Sequence, residues 1–253
     1  MPQFTSGGFR LAYDRFGPDD ARRTLVLIHG FASNRVENWK RMGWYDAVAG
    51  KRLGGLAFDG RGHGESDKPH DPAAYDRAAM AADVVALLDA HDLRRAHVLG
   101  FSMGAHVALT LALTAPDRID HLVVAGVGGA MFEPREEGAM ARAMEAASPD
   151  EIADPMWRSF RHFADEQKED RLALAACARG ARTDLTRQTL GGIGVPTLVV
   201  AGARDQLAGS PQVLASCIQG ARAVTLPGCD HFSCIGHPLL KASVFDFFDG
   251  WLE

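Results

Sequence analysis

The sequence has few cysteines, no long apolar run and no cluster of basic residues. Four scattered cysteines in 253 residues favour reduced thiols over a disulfide framework. No apolar stretch reaches the length of about 18 residues that a membrane-spanning helix requires. The first residues, MPQF, lack the charged and then apolar layout of a signal peptide, so we expect a cytoplasmic protein without membrane association. The net charge of −5, without a basic run, argues against nucleic-acid binding.

Short apolar runs alternate along the chain with segments of helical periodicity. The length suits one α/β domain with a small insertion. Strands are predicted at 9–16, 24–28, 53–58, 96–99, 121–125, 196–201 and 223–226. Helices are predicted at 75–91, 103–114, 210–218 and 239–252. This alternation predicts an α/β fold, with a parallel, doubly wound sheet that carries helices on both faces.

One interval, residues 128–194, contains no strand-like run. The capping-box sequence Ser148-Pro149-Asp150-Glu151 predicts that a helix begins there, and residues 169–182 predict another. We interpret residues 128–194 as a helical cap inserted into a core that is formed by residues 1–127 and 195–253. A long helical crossover between two strands is the alternative interpretation.

The strand predicted at 96–99 runs into Gly100-Phe101-Ser102-Met103-Gly104. This pattern is typical of a sharp strand-to-helix turn that exposes a serine, with glycines where a side chain would meet neighbouring backbone. A serine held in this way is a candidate nucleophile. This pattern alone does not identify a nucleophile, so the residues at the other strand ends have to be considered as well.

Two further strand ends carry the partners that a serine nucleophile needs. Asp205 follows the strand at 196–201, and His231 follows the strand at 223–226. The carboxyl ends of parallel strands meet at one edge of a sheet, so these side chains are expected beside Ser102. A histidine takes the serine proton and a carboxylate orients that histidine. Ser102, Asp205 and His231 are therefore the predicted catalytic residues.

The strand at 24–28 ends in His29-Gly30-Phe31. We expect the backbone N–H groups of Phe31 and Met103 to form an oxyanion hole, because two such donors stabilise a tetrahedral intermediate. His29 itself is interpreted as a structural histidine that hydrogen-bonds to backbone.

These motifs together resemble the α/β-hydrolase family over nearly the whole chain. The resemblance rests on His29-Gly30-Phe31, Asp59-Gly60-Arg61-Gly62-His63-Gly64-Glu65-Ser66, Gly100–Gly104, Gly202–Asp205 and Asp230-His231. It implies a mostly parallel sheet, a cap that roofs the substrate pocket, and turn-shaping roles for Asp59 and Arg61. The serine at position 102 argues against relatives that use aspartate or cysteine as nucleophile, such as epoxide hydrolases, haloalkane dehalogenases and dienelactone hydrolases.

Three other interpretations of these residues are weaker. Asp230 adjoins His231, but a neighbour on the same loop rarely reaches the far nitrogen of the ring, so Asp205 is preferred. The cysteines and histidines between Cys229 and His237 lack the two separated ligand pairs of a structural zinc site, and no metal is expected. Gly60-x-Gly62-x-Gly64 lacks the last glycine of a dinucleotide-binding loop, and no cofactor is expected.

Flexible and aromatic side chains supply candidates for the substrate pocket. We list as pocket candidates Trp39, Met131, Met156, Trp157 and Phe160, with the core of the cap as the alternative place for each cap residue.

The sequence therefore predicts a serine hydrolase of small-molecule carboxylic esters that works through an acyl-enzyme. Apolar acyl groups of small or medium size are the expected substrates. A lactonase or a carbon–carbon bond hydrolase would use the same three residues. A ligand receptor with little turnover is the alternative from another class, and the oligomeric state stays open.

Overall fold

The computed structural model describes residues 1–134 and 136–250, and an eight-stranded sheet forms its centre. The strands are β1 (Gln3–Ser6), β2 (Phe9–Phe16), β3 (Thr24–Ile28), β4 (Gly54–Phe58), β5 (Ala96–Phe101), β6 (Ile119–Ala125), β7 (Thr197–Gly202) and β8 (Arg222–Leu226). Their order across the sheet is β1-β2-β4-β3-β5-β6-β7-β8. The β1–β2 and β2–β4 pairs are antiparallel, and every later pair is parallel. The predicted mostly parallel α/β fold is confirmed, and β1 is a strand that the sequence patterns did not predict.

Helices connect these strands. The α-helices are α1 (Trp44–Gly50), α2 (Arg77–Asp89), α3 (Met103–Thr114), α4 (Ala139–Glu145), α5 (Pro155–Glu166), α6 (Arg171–Arg179), α7 (Arg187–Leu190), α8 (Pro211–Ala215), α9 (His231–Cys234) and α10 (Pro238–Phe248). Short 3-10 turns cover Pro72–Tyr75, Pro116–Arg118, Gly129–Phe132 and Pro149–Glu151, and a π-helical turn covers Val36–Lys40. The helix predicted at 239–252 corresponds to α10, and its last predicted residues, 251 and 252, lie outside the described residues. No helix in the described part of the chain is long and apolar enough to cross a membrane.

The central strands β3 to β7 are largely buried on both faces, which explains why they are nearly continuous apolar runs. Within β3, Val26 and Ile28 belong to one core cluster, while Leu25 and Leu27 belong to the other. Helices α2, α3 and α8 cover the first face, and α1 and α10 cover the second. Side chains alternate between the faces of a strand, so a strand covered on both sides needs apolar residues at every position.

Between β6 and β7 the described residues form helices α4 to α7 and no strand. The helix predicted to begin at Ser148 is present only as a short 3-10 turn, Pro149–Glu151. The Ser148 side chain accepts from the N–H of Asp150, and only a three-residue 3-10 turn follows. Helix α5 begins instead at Pro155, because the carboxylate of Asp154 accepts from the N–H groups of its first turn.

Candidate active site

Ser102 lies at the sharp turn between β5 and α3. Its backbone has φ 53° and ψ −112°, which a residue other than glycine rarely adopts. A Cβ at Gly100 would lie 2.2 Å from the carbonyl oxygen of Gly104, and a Cβ at Gly104 would lie 2.2 Å from the carbonyl oxygen of Ile28. Neither position can hold a side chain without moving backbone. The turn therefore holds Ser102 at the carboxyl edge of the sheet.

Two other strand ends bring Asp205 and His231 to this serine. Asp205 follows β7, and His231 is the first residue of α9, which follows β8. The Oγ of Ser102 is 3.0 Å from Nε2 of His231, and Nδ1 of His231 is 2.9 Å from Oδ2 of Asp205. An ionised carboxylate only accepts hydrogen bonds, so Nδ1 carries the proton and Nε2 accepts from the serine hydroxyl. The three residues form one hydrogen-bonded chain.

The carboxylate of Asp205 is held on both oxygens. Its side chain is fully buried, and Oδ1 accepts from the N–H of Ala208 at 2.9 Å while Oδ2 faces His231. Asp230, the other carboxylate considered, caps α9 by accepting from the N–H of Ser233. Hydrogen bonds from Ser233 lower the pKa of Asp230 and keep its carboxylate turned to its own helix.

The loop after β3 passes beside the serine. His29 lies under it, where Nδ1–H donates to the carbonyl of Gly30 at 2.8 Å and Nε2 accepts from the N–H of Gly60 at 2.8 Å. Burial lowers the pKa of His29, so the ring is neutral and structural, as predicted. Among the hydrogen bonds of the described residues, none uses the backbone N–H of Phe31 or of Met103. Both donors are free for a bound oxygen.

The loop after β4 is built by ion pairs and carries no group of the cavity. Asp59 is fully buried, and its carboxylate accepts from the backbone N–H of Arg35 at 2.7 Å and from that of Glu65 at 2.9 Å. Arg61 makes two hydrogen bonds to the carboxylate of Asp83, at 2.8 and 2.7 Å. Asp59 thus has the turn-shaping role that was predicted, whereas Arg61 joins the loop to α2 through Asp83.

A cavity of about 430 Å³ opens in front of the Ser102 hydroxyl. The residues that line it are Gly30, Phe31, Ser33, Glu37, Asn38, Met42, Phe101, Ser102, Ser159, Phe160, His162, Phe163, Glu166, His231, Phe232 and Ile235. Phenylalanine rings form much of its wall. The Phe160 ring of α5 lies 6.2 Å from the His231 ring and 5.3 Å from the Phe232 ring, measured between centroids. Helix α5 thus forms part of the wall of this cavity.

Of the five predicted pocket residues, only Phe160 lines this cavity. Trp39 is fully buried and packs edge-to-face against Trp44, on the other face of the sheet. Met131, Met156 and Trp157 pack against the main core instead. The pocket prediction was wrong for these four residues. For Met156 and Trp157 the reason is that helical periodicity does not give the rotation of a docked helix. Trp39 and Met131 lie on turns, whose path no periodicity specifies.

Several residues that were not predicted from the sequence also line the cavity. Ser159, His162, Phe163 and Glu166 share one face of α5 with Phe160, at spacings of three and four residues. Phe232 follows His231 directly, and that adjacency was the available signal for it. Asn38 comes from the turn beside the Gly30–Phe31 loop, and no sequence pattern distinguished it.

Comparison with known proteins identifies the family of the chain. The sequence profile of the α/β-hydrolase fold matches residues 23–178, which is more than half of the chain. The chain belongs to the α/β-hydrolase family.

Three similar proteins differ in how much of their length aligns with this chain. One from Variovorax paradoxus (strain S110), named "Putative carbamate hydrolase RutD", is 30% identical over 269 residues, with 93% of each chain covered. The "Dihydrolipoyllysine-residue acetyltransferase component of acetoin cleaving system" of Pseudomonas putida is 34% identical over 200 residues, and the chain spans about half of its length, 52%. The crystal structure of an enol-lactonase from Burkholderia xenovorans LB400 has a TM-score of 0.80 at 25% identity, over 98% of this chain and 100% of that one.

Proposed function

We propose that the chain is a serine hydrolase that cleaves carboxylic esters through an acyl-enzyme. The observation that carries this proposal is the hydrogen-bonded chain from Ser102 through His231 to the buried Asp205, at 3.0 and 2.9 Å. A serine becomes a strong nucleophile when an adjacent base accepts its proton, and the base is in turn oriented by a third group. The positive φ of Ser102 agrees with such a role, since strain of roughly 1–3 kcal/mol persists chiefly at functional sites.

The proposed mechanism has two halves. Ser102 Oγ attacks the ester carbonyl while His231 Nε2 takes its proton, and Asp205 stabilises the imidazolium that forms. The negative oxygen of the tetrahedral intermediate accepts from the N–H groups of Phe31 and Met103, each worth about 2.7–4 kcal/mol in related sites. His231 then protonates the departing alcohol. In the second half it deprotonates a water molecule that attacks the acyl-enzyme and releases the acid.

We propose that residues 128–194 form the cap over this site. Phe160 and Phe163 of α5 contribute an apolar wall beside His231 and Phe232. Such a wall favours apolar acyl groups, and a cavity of about 430 Å³ suits small or medium ones. The substrate class that follows is an ester with a short or medium apolar acyl group.

Hydrolysis of a lactone is the second candidate, and likeness to the enol-lactonase structure favours it. The same residues would open a lactone ring, with the released alcohol remaining on the acyl chain. A panel of p-nitrophenyl esters and simple lactones, compared by kcat/KM, separates the two activities.

The test uses Ser102→Ala, with Ser216→Ala as the matched control at an exposed serine that does not line the cavity. Wild type and the control are expected to react with a fluorophosphonate and to hydrolyse p-nitrophenyl butyrate, whereas Ser102→Ala does neither and keeps its circular dichroism. Unchanged turnover by Ser102→Ala would overturn the proposal. Labelling of Ser102 without steady-state hydrolysis of any ester or lactone would point to a ligand receptor.

A further inference from the structure

Asn38 is a polar residue of the cavity that the proposed mechanism leaves unused. It lies on the turn Val36–Lys40 and is 7% exposed. Its Oδ1 accepts from the N–H of Gly30 at 2.7 Å. Only the oxygen of a carboxamide accepts hydrogen bonds, so this contact fixes which end of the amide faces Gly30. Nδ2 is therefore the end of the amide that this contact leaves unbound.

The donor hydrogens of Asn38 Nδ2 have no protein partner. None of the hydrogen bonds formed by residues 1–134 and 136–250 uses this nitrogen as a donor. Nδ2 is also absent from the fully buried side-chain atoms of the described residues that lack a partner, so it is accessible to solvent. Asn38 lines the cavity, so an acceptor atom of a bound molecule is the partner that would satisfy it.

The charges around the cavity restrict what that acceptor can be. Glu37, next to Asn38, also lines the cavity, and its side chain is only 14% exposed. Its partner Arg41 lies 2.7 Å away on the exposed side, outside the lining. Among the described residues no lysine or arginine lines the cavity. A substrate carboxylate would therefore meet Glu37 and no cation, whereas an ether, ketone or hydroxyl oxygen would meet no repulsion.

We propose that Asn38 forms a polar subsite for an uncharged acceptor oxygen of the substrate, and that Glu37 selects against a carboxylate at that place. The preferred ester then carries an oxygen function on an otherwise apolar acyl or alcohol part. This inference rests on the proposed hydrolase function, because it names the substrate class of the same cavity.

The test compares esters that differ by one atom. Methoxyethyl butyrate is matched with butyl butyrate for the alcohol part, and methyl 5-methoxypentanoate with methyl heptanoate for the acyl part. Asn38→Asp keeps an oxygen for the N–H of Gly30 and replaces the donor nitrogen by a second oxygen. The ratio of kcat/KM for the ether ester over its methylene partner is expected to fall about tenfold in Asn38→Asp for one of the two pairs. A ratio taken within each variant cancels any general loss of activity.

Glu37→Gln tests the second part with monomethyl adipate, which places a carboxylate where methyl 5-methoxypentanoate has its methoxy group. Relative to methyl heptanoate, kcat/KM for this anion is expected to rise about fivefold. Glu166→Gln removes a like charge at the exposed rim and is the control, with a smaller rise expected because solvent screens it.

Two outcomes overturn the subsite. One is an ether-to-methylene ratio in Asn38→Asp equal to that of wild type for both pairs, and the other is equal hydrolysis of the anion and the methylene ester by wild type. If Asn38→Asp hydrolyses no ester, calorimetric Kd values for the same pairs in Ser102→Ala and in Ser102→Ala/Asn38→Asp give the same ratio, and an unchanged Kd ratio overturns the subsite equally. Failure of the proposed function is recognised separately, since wild type would then hydrolyse neither member of a pair.

Discussion

The carboxylate of Asp205 lies 2.9 Å from Nδ1 of His231, although 26 residues of chain separate the two. Asp230, the immediate neighbour of His231, turns its carboxylate to Ser233 instead. Both arrangements follow from the backbone. Parallel strands β7 and β8 place their carboxyl ends side by side, whereas a residue at the start of a helix directs its side chain to the free N–H groups of the first turn.

Asp205→Asn is expected to lower kcat for p-nitrophenyl butyrate by about 10⁴-fold, because an amide that donates to Nδ1 stabilises the wrong tautomer of His231. The folded state is retained, since the amide is close in shape to the carboxylate. Steady-state kinetics and circular dichroism measure the two effects.

The matched control is Asp230→Asn. Asparagine still caps a helix, so kcat is expected to change less than tenfold and the free energy of unfolding by under about 1 kcal/mol. Comparable losses of kcat in both variants would contradict the assignment of Asp205 as the residue that orients His231.

Gly104→Ala is expected to destabilise the protein by several kcal/mol or to prevent folding. The added Cβ would lie 2.2 Å from the carbonyl oxygen of Ile28, which is backbone of the central strand β3 and cannot move aside. The control, Gly50→Ala, lies at the end of α1, where no atom beyond its chain neighbours and the backbone of its own helix is within 4 Å of the added methyl group. It should stabilise the protein by about 0.4–1 kcal/mol. Urea denaturation of both variants checks the signs, and similar stability of the two would contradict the steric argument.

The sheet and the three strand-end residues could be predicted because both depend on local signals. Continuous apolar runs mark strands covered on two faces. Ser102 follows β5 directly, and Asp205 and His231 follow within a few residues of the ends of β7 and β8. Trp39 shows where this reasoning stops: its size and position after the Phe31 loop suggested a pocket residue, yet it packs on Trp44 in the opposite core cluster. Which face a side chain takes after a loop depends on the path of that loop, and no periodicity specifies it.

The cavity-facing residues of the segment 128–194 were harder to predict, because periodicity does not specify which side of a helix faces the cavity. Met156, Trp157 and Phe160 all fit a helical pattern, but only Phe160 is turned toward the cavity. The capping sequence at Ser148 was recognised, yet the stronger cap at Asp154 with Pro155 behind it starts α5. Competition between two start signals a few residues apart is decided by packing, which the sequence pattern does not contain.

Phe160→Ala is expected to widen the cavity and to shift the ester preference toward longer or branched acyl groups. The Phe160 side chain is 4% exposed and contacts the rings of Phe31, His231 and Phe232, so its truncation should also cost about 3–5 kcal/mol of stability. The chain-length profile of kcat/KM, from acetate to decanoate esters, measures the shift.

Trp157→Ala is the control for that change. It removes a larger ring from the adjacent position of α5, but this ring lies outside the cavity lining and is only partly buried. Stability should fall while the chain-length profile keeps its maximum. A profile that moves equally in both variants would mean that α5 affects specificity through its overall position and not through the Phe160 ring.

Acid is expected to destabilise the fold through His97. This side chain is 1% exposed and stacks on Phe248, with 4.2 Å between ring centroids. Burial, followed by the neighbouring His121, lowers its pKa from 6.5 to about 4. The unfolded chain therefore binds a proton at a pH where the folded chain does not. The contribution of His97 to the free energy of unfolding is therefore fully present above pH 6.5. It is lost as the pH falls toward 4, and the loss amounts to roughly 3 kcal/mol in total.

Urea denaturation at a series of pH values from 8 to 4 measures this loss. His97→Leu removes the titrating group while keeping an apolar side chain beside Phe248, so its free energy of unfolding should fall less steeply between pH 6.5 and 4 than that of wild type. His162→Gln, at an exposed position on α5, should follow the wild-type slope. If His97→Leu loses stability as steeply as wild type, other buried groups account for the acid sensitivity, and His29 and His63, whose pKa values burial also lowers, are the next to substitute.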